Sequence, residues 1–350
     1  MKILMCSVPF RPSVGGIETV TALLAQQFQQ QGHEVTVVTQ TTCDVADAEA
    51  YAVLRRPSAW QLLNAVRHCD VVLHNQISLR LAWPLCLVRR PWVVGHHTWL
   101  PRSGRGAWAG RFKRACLRWA VNVAVSDAVA ADLKLPSQII PNPYDHELFQ
   151  CLPGVPRSRQ LVFVGRLVSE KGIPVLLQAM ALLRQRGLTP LLSIIGSGPE
   201  EAALRQQVQI LGLEDQVKFA GRLVGQPLVR ALNGHQVVVV PSVCEESFGL
   251  VALEAQACGC LPLVADSGGL RQAAGPAGVV FAKGDPVALA GCLTSVLSGS
   301  AAAAVASDPR VLQHLLHHKP ASVASAYLAL LAQTQTQTQN QGTRRGARLS

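Results

Sequence analysis

The chain has 350 residues, 49% of them hydrophobic and 15% charged, with a formal net charge of +11. That is more than one ordinary core needs and enough for two domains of about 150 residues each, and the composition excludes a disordered chain. No apolar run reaches the ~20 residues of a membrane span, and the first ten residues lack the pattern of a signal peptide. The ten cysteines are scattered singly, with no Cys-x-x-Cys pair, so a cytoplasmic chain with small buried thiols is expected. A basic balance favours anionic partners.

In chain order, short β-branched runs alternate with longer helical ones. Strands are expected at Ile3–Val8, Glu34–Thr39, Val71–Leu73, Trp92–Gly95, Val121–Val125 and Gln138–Ile140. The pattern restarts with Leu161–Val164, Leu191–Ile195, Val217–Ala220, Val237–Val240, Leu261–Ala265 and Gly278–Phe281. Many are apolar at every position, as strands buried on both faces of a parallel sheet are. Helices are expected between them, among them Ile17–Gln31, Ile173–Arg186, Glu200–Leu211 and Pro286–Leu297. The alternation gives an α/β fold of two doubly wound sheets. Pro153, Gly154 and Pro156 mark a linker, dividing an N-terminal domain, 1–152, from a second, 158–308. A last helix is expected at about 309–332. The Thr/Gln-rich tail 333–350 is expected to be disordered.

Ligands of open α/β sheets bind at the carboxyl ends of the strands, and the informative residues lie there. After Val237–Val240 come Pro241 and Ser242, a short loop, and Phe248-Gly249-Leu250 opening a helix that carries Glu254. Ser247 stands where a helix N-cap is preferred. Glu246 and Glu254 are two carboxylates able to accept hydrogen bonds from sugar hydroxyls, and by spacing alone they could equally be an acid at a helix start and a solvated helical Glu. After Leu161–Val164, Arg166 and Lys171 stand at the sheet edge beside a helix start, which suits a diphosphate. Gly15-Gly16 follows the first strand and lets the backbone approach a phosphate or sugar.

Three motifs occur in order: Gly165-Arg166-(four residues)-Lys171-Gly172, Glu246-Ser247-Phe248-Gly249-Leu250-(three residues)-Glu254 and Gly268-Gly269-Leu270. With Gly15-Gly16-Ile17-Glu18, Ile140-Pro141-Asn142-Pro143 and Gly284-Asp285-Pro286, the chain resembles the retaining glycosyltransferases of family 4 over roughly residues 1–298. The resemblance implies the GT-B fold, two facing Rossmann-like domains with a deep interdomain cleft, the last helix packing back on the first domain. It implies transfer of a hexose from a UDP- or GDP-sugar to a glycan or lipid-linked acceptor, with no metal and no cofactor beyond the nucleotide-sugar substrate. Arg166 and Lys171 would bind the diphosphate and Glu254 the ribose. Glu246, with Ser247 and the Phe248–Leu250 backbone, would hold the hexose. Gly15 and Gly16 would approach the phosphates. His97 matches a residue that contacts the hexose, His96 being the less favoured claimant. Ser126 and Asn142 match looser positions. The catalytic set implied is Glu246, His97, Arg166 and Lys171. Gln272 departs from the pattern, keeping the hydrogen-bond geometry of the usual Glu without its charge. The alternatives are a sugar-nucleotide epimerase of the same fold and a non-catalytic binding subunit.

Residues 99–119 hold six cations, Arg102, Arg105, Arg111, Lys113, Arg114 and Arg118, interleaved with aromatics and without one acid. They suggest an anionic membrane surface, hence a peripheral position at its inner face. No groove-reading motif for nucleic acid is present, and no nucleic-acid partner is expected. His314, His317 and His318 are read as a surface feature rather than a metal site.

Overall fold

The computed structural model describes residues 1–13, 15–43, 49–101, 107–299 and 305–346. These form two compact units, Met1–Pro143 with the chain from His318 onward, and Tyr144–His317.

The first unit is a seven-stranded sheet: β1 (Lys2–Cys6), β2 (Glu34–Thr39), β3 (Ala52–Arg55), β4 (Val71–Asn75), β5 (Trp92–His96), β6 (Val121–Ala124) and β7 (Ser137–Ile139), in the order β3-β2-β1-β4-β5-β6-β7. The second is six-stranded: β8 (Arg159–Val164), β9 (Leu192–Ile195), β10 (Val217–Gly221), β11 (His235–Val240), β12 (Leu261–Ala265) and β13 (Val279–Phe281), ordered β10-β9-β8-β11-β12-β13. Every recorded pairing is parallel. Both are doubly wound, Rossmann-like sheets with the strand order of the GT-B fold's two halves. In each, the order reverses beside the first strand: between β1 and β4, and between β8 and β11. Crossover loops part there and leave room for a ligand. The central strands are buried on both faces, as their unbroken apolar runs require.

Three expectations need correction. Sequence reading misses β3, whose AVLR run is too short and too exposed to carry a strand signal, yet it pairs with β2 from Thr36↔Ala52 to Thr39↔Arg55. The Pro/Gly-rich segment near 150–157 belongs to the second unit rather than to a loose linker. Asn233 accepts from Leu152 N at 2.7 Å and donates to Gln150 O at 2.9 Å, while Arg157 donates to His235 O at 2.8 Å. Residues 347–350 of the tail expected to be disordered lie outside the described residues, and residues 333–346 continue the helix Pro320–Gly346. Its first half is seated on the helix Gly16–Gln30 and on β5 through Val323, Tyr327, Leu330 and Leu331, all buried. Burying each large apolar group contributes about 2 kcal/mol. Beyond them Thr334 is buried, and Thr334, Thr336 and Thr338 each donate to the carbonyl four residues back. The packed turns before it thereby extend the helix into a low-complexity sequence that lacks an apolar stripe, the threonine hydroxyls being satisfied locally.

Candidate active site

In the second unit, three segments distant in sequence interlock at the carboxyl ends of β8, β11 and β12. The turn Ser169–Lys171 meets the loop after β11 where Val243 N donates to Glu170 O at 3.0 Å. That loop is held on its other side by the turn after β12. Gly269 N donates to Glu246 O at 2.8 Å, and Ser267 Oγ donates to Cys244 O at 2.5 Å. Gly268 has φ +52, and a Cβ there would lie 1.9 Å from Glu246 O. A side chain would force the two loops apart, so Gly268 fixes where Glu246 points.

Glu246 meets the two other segments. Lys171 Nζ lies 2.6 Å from its Oε1, and Ser242 Oγ donates to the same oxygen, also at 2.6 Å. Ser242 is fully buried. Its position after the strand and Pro241 carries no functional signal in sequence, and its role was not foreseen. The neighbouring Glu245 turns the other way and pairs with Lys283. Arg166 is exposed beyond the end of β8, and its guanidinium has no partner among the described residues. Among the described residues the switch point thus presents Arg166 without a partner and Lys171 paired with Glu246.

The helix after this loop spans Leu250–Ala257, and its N-cap is Gly249. Ser247 therefore does not cap it, contrary to expectation: the chain still turns through Phe248 and the left-handed Gly249. No side chain caps the N-terminus; Ala252 N is used within the turn, donating to Gly249 O at 2.9 Å, and the positive dipole end has no side-chain acceptor at the cap. Phe248 is buried and anchors the turn, which leaves its backbone rather than its ring to serve a ligand. Glu254 stands one turn into the helix. Burial, then the nearby Asp145 carboxylate, pushes its pKa up to about 7. No hydrogen bond or ion pair holds it among the described residues. A partly buried carboxyl without a protein partner is suited to accept from a ligand hydroxyl.

The first unit's switch point is made of neutral groups. Asn75, at the end of β4, donates its amide to Ile17 O and Thr21 Oγ1 on the helix Gly16–Gln30. Its Oδ1 therefore accepts from His97 Nε2. Burial holds His97 neutral, its pKa down at about 4. A neutral ring carries one N–H, already used. Nδ1 lies 2.8 Å from Asn142 Oδ1, so the Asn142 carboxamide must turn its N–H toward it. Both ring nitrogens are thus committed, and His97 N donates to Gln76 Oε1 at 2.9 Å. His96 bonds Asn122 through Nε2 at 3.0 Å, and its buried Nδ1 has no partner among the described residues. Ser126 caps the helix Asp127–Leu133 through Val129 N at 3.3 Å.

Tyr327, on the C-terminal helix, brings its hydroxyl to this corner. A Cβ on Gly95 would lie 3.1 Å from both Tyr327 Oη and His97 Nε2, so a side chain there would press both groups by a few tenths of an ångström. Gly15 and Gly16 open the helix Gly16–Gln30, and the Glu18 carboxylate folds back over Gly15, accepting from Ser13 Oγ at 3.0 Å. The structure therefore brings Lys171 and Glu246 into contact, sets Arg166 and Glu254 on the same sheet's carboxyl side, and keeps Gly15, Gly16 and His97 in the other unit.

Of the histidine cluster, His317 is exposed as expected, but the other two are not surface groups. His318 is buried, and the half-buried His314 lies 3.2 Å from Ala273 O, because the helix Pro309–His317 packs onto the turn Gly275–Ala277. Among the described residues no group of three or more His, Cys, Asp or Glu could hold a metal ion.

Residues 150–308 match the family model described as glycosyl transferases group 1, and residues 14–148 match glycosyltransferase family 4. The D-inositol 3-phosphate glycosyltransferase of Salinispora tropica is 38% identical over 154 residues, 40% of this chain and 31% of that protein. The chain matches about a third of the length of the curated relatives it resembles. Among solved structures, HepE of Anabaena in complex with UDP and glucose superposes with a TM-score of 0.77 at 20% identity, covering 95% of this chain and all of that one. The sucrose-phosphate synthase of Thermosynechococcus elongatus superposes at 0.78 and 22%, covering 95% and 98%. At such identities the likeness is one of fold.

Proposed function

This chain belongs to the group 1 and family 4 glycosyltransferases of GT-B fold, and from that premise we propose that it moves a hexose, with retention, from a UDP- or GDP-sugar to a glycan or lipid-linked acceptor. The observation that carries this reading is the Lys171–Glu246–Ser242 cluster at the switch point of the second sheet, with Arg166 beside it. A diphosphate entering there meets Arg166 and draws Lys171 from Glu246, and Ser242 keeps the released carboxylate in place to receive hexose hydroxyls. Glu254 takes the ribose. The uncapped helix start at Leu250 supplies backbone N–H groups to the sugar or phosphate.

In this reaction the bond from the anomeric carbon to the diphosphate oxygen breaks, and the acceptor oxygen bonds to that carbon on the same face. The acceptor's proton passes to the leaving oxygen. No protein base is then required. Arg166, Lys171 and the helix dipole stabilise the charge that develops on the leaving diphosphate. His97 serves by shape, as its ring nitrogens are both bonded within the protein.

The test is a screen of UDP- and GDP-sugars by thermal shift, followed by donor hydrolysis with and without acceptors. Binding with turnover supports transfer. Binding without turnover would point to a non-catalytic subunit, and epimerised donor without an acceptor to an epimerase. A lipid-linked acceptor would place the enzyme at an anionic bilayer through residues 99–119.

A further inference from the structure

The basic, aromatic segment forms a helix, Ala107–Cys116, continued by the turn Leu117–Trp119. Its seat on the protein is well defined. Leu117 is fully buried, and Arg114 turns inward, donating to Leu100 O at 3.1 Å and Pro101 O at 3.3 Å and pairing with Asp132 at 3.7 Å. The opposite face is bare. Trp108, Arg111, Phe112, Ala115, Arg118 and Trp119 are all exposed, and they recur at the three- and four-residue spacing of a single helix face. Trp108 is 76% exposed, Phe112 49% and Trp119 80%. Trp108 and Phe112 stack with ring centroids 5.9 Å apart. Leu87, also exposed, follows the turn Trp83–Cys86, whose Cys86 lies near Cys116.

We infer that this face is an interfacial docking surface for an anionic lipid bilayer, in which Trp108, Phe112 and Trp119 enter the headgroup boundary while Arg111 and Arg118 bind lipid phosphates. This deepens the mention of residues 99–119 above and stands independently of the donor chemistry. Two arguments select the occupant. Charge complementarity is the first: the segment 99–119 holds no acid, and Arg114, which pairs with Asp132, is turned off the bare face; Arg102 and Arg105 lie outside the described residues. The second is amphipathic form. Tryptophan prefers the boundary between water and acyl chains, and such helices lie in the interface plane with cations flanking the apolar residues. No helix among the described residues is long and apolar enough to cross a membrane, so attachment through this face would be peripheral.

The experiment is co-sedimentation of the full chain with vesicles of phosphatidylcholine alone or mixed with phosphatidylglycerol, at low and high salt. Binding is expected only with the anionic lipid, falling as salt screens it, with a blue shift of tryptophan emission. Arg111→Ala with Arg118→Ala should cut partitioning by roughly fivefold per cation, about twenty-fivefold together. Trp108→Ala with Trp119→Ala should remove the blue shift. Both pairs are exposed, so thermal melting should be unchanged; if the aromatic pair fails to fold, the arginine pair still decides. Absence of binding, binding indifferent to lipid charge, or binding unchanged in the arginine pair would overturn the inference. So would concentration-dependent self-association abolished by the aromatic pair, which would mean a second copy covers the face. Donor binding measured on the same samples separates this outcome from a failure of the transfer reading.

Discussion

The two sheets share a strand order around their switch points, and the chemistry at those points is opposite. The second unit gathers charge there: Lys171 on Glu246, Arg166 exposed, Glu254 with its pKa raised by burial. The first gathers neutral amides, imidazoles and hydroxyls, with His97 bonded to two asparagines and Tyr327 alongside. One frame therefore yields a surface suited to an anionic group and another suited to shape and neutral hydrogen bonds. The difference lies in the loops rather than in the strands.

The largest expected effect lies on the charged side. Glu246→Gln or Lys171→Ala should lower kcat for transfer about a hundredfold or more while circular dichroism shows an intact fold; wild-type rates in both would sink the site assignment. The next concerns acid. Burial holds His96 and His97 near pKa 4 and His74 near 3. A folded pKa below the unfolded 6.5 means stability that is full above 6.5 and lost as pH falls toward 4. The loss is on the order of 3 kcal/mol for each imidazole once charged. Hydrogen exchange during an acid titration should show the first unit opening before the second.

Glu254 runs the other way. Its folded pKa is raised from 4.5 to about 7, so its burial costs nothing below 4.5 and progressively more as pH rises through 7. Glu254→Gln should match the wild type in acid, exceed it in stability above pH 7, and bind the donor about tenfold more weakly. Calorimetry across that range tests all three. Asn142→Ala leaves His97 Nδ1 buried and unpaired and should cost about 1–3 kcal/mol by denaturant melting. Smallest of all, Tyr327→Phe removes a buried hydroxyl with no partner among the described residues. Stability should change by less than about 1 kcal/mol or improve. A loss of activity there would mean that the hydroxyl faces a substrate, and that the first unit's corner is more than scaffolding.

Much of the fold was legible because fully apolar strands and long amphipathic helices carry strong periodicity. β3 was not, since four half-exposed residues owe their conformation to a neighbour. The C-terminal helix beyond residue 332 was not, because Thr and Gln show no stripe and the order comes from the packed turns before them. At the site, Arg166, Lys171, Glu246 and Glu254 were legible as residue types at strand ends. That Glu246 rather than Glu245 meets Lys171 could not be read from two adjacent acids.

The sequence by itself determined two parallel-sheet units, the strand ends at which the candidate site gathers, and the residue types there, since burial on both faces and glycine-bearing turns leave marks within a few positions. Tertiary structure alone decided the partnerships. Ser242 and Lys171 converge on one oxygen of Glu246 because Gly268 admits the loop carbonyl. Tyr327 reaches His97 from more than two hundred residues away along the chain. A bare aromatic face is distinguished from a buried one only by which side Arg114 and Leu117 take. Contacts between distant segments depend on which loops the sheet order brings together, and local sequence holds no record of that order.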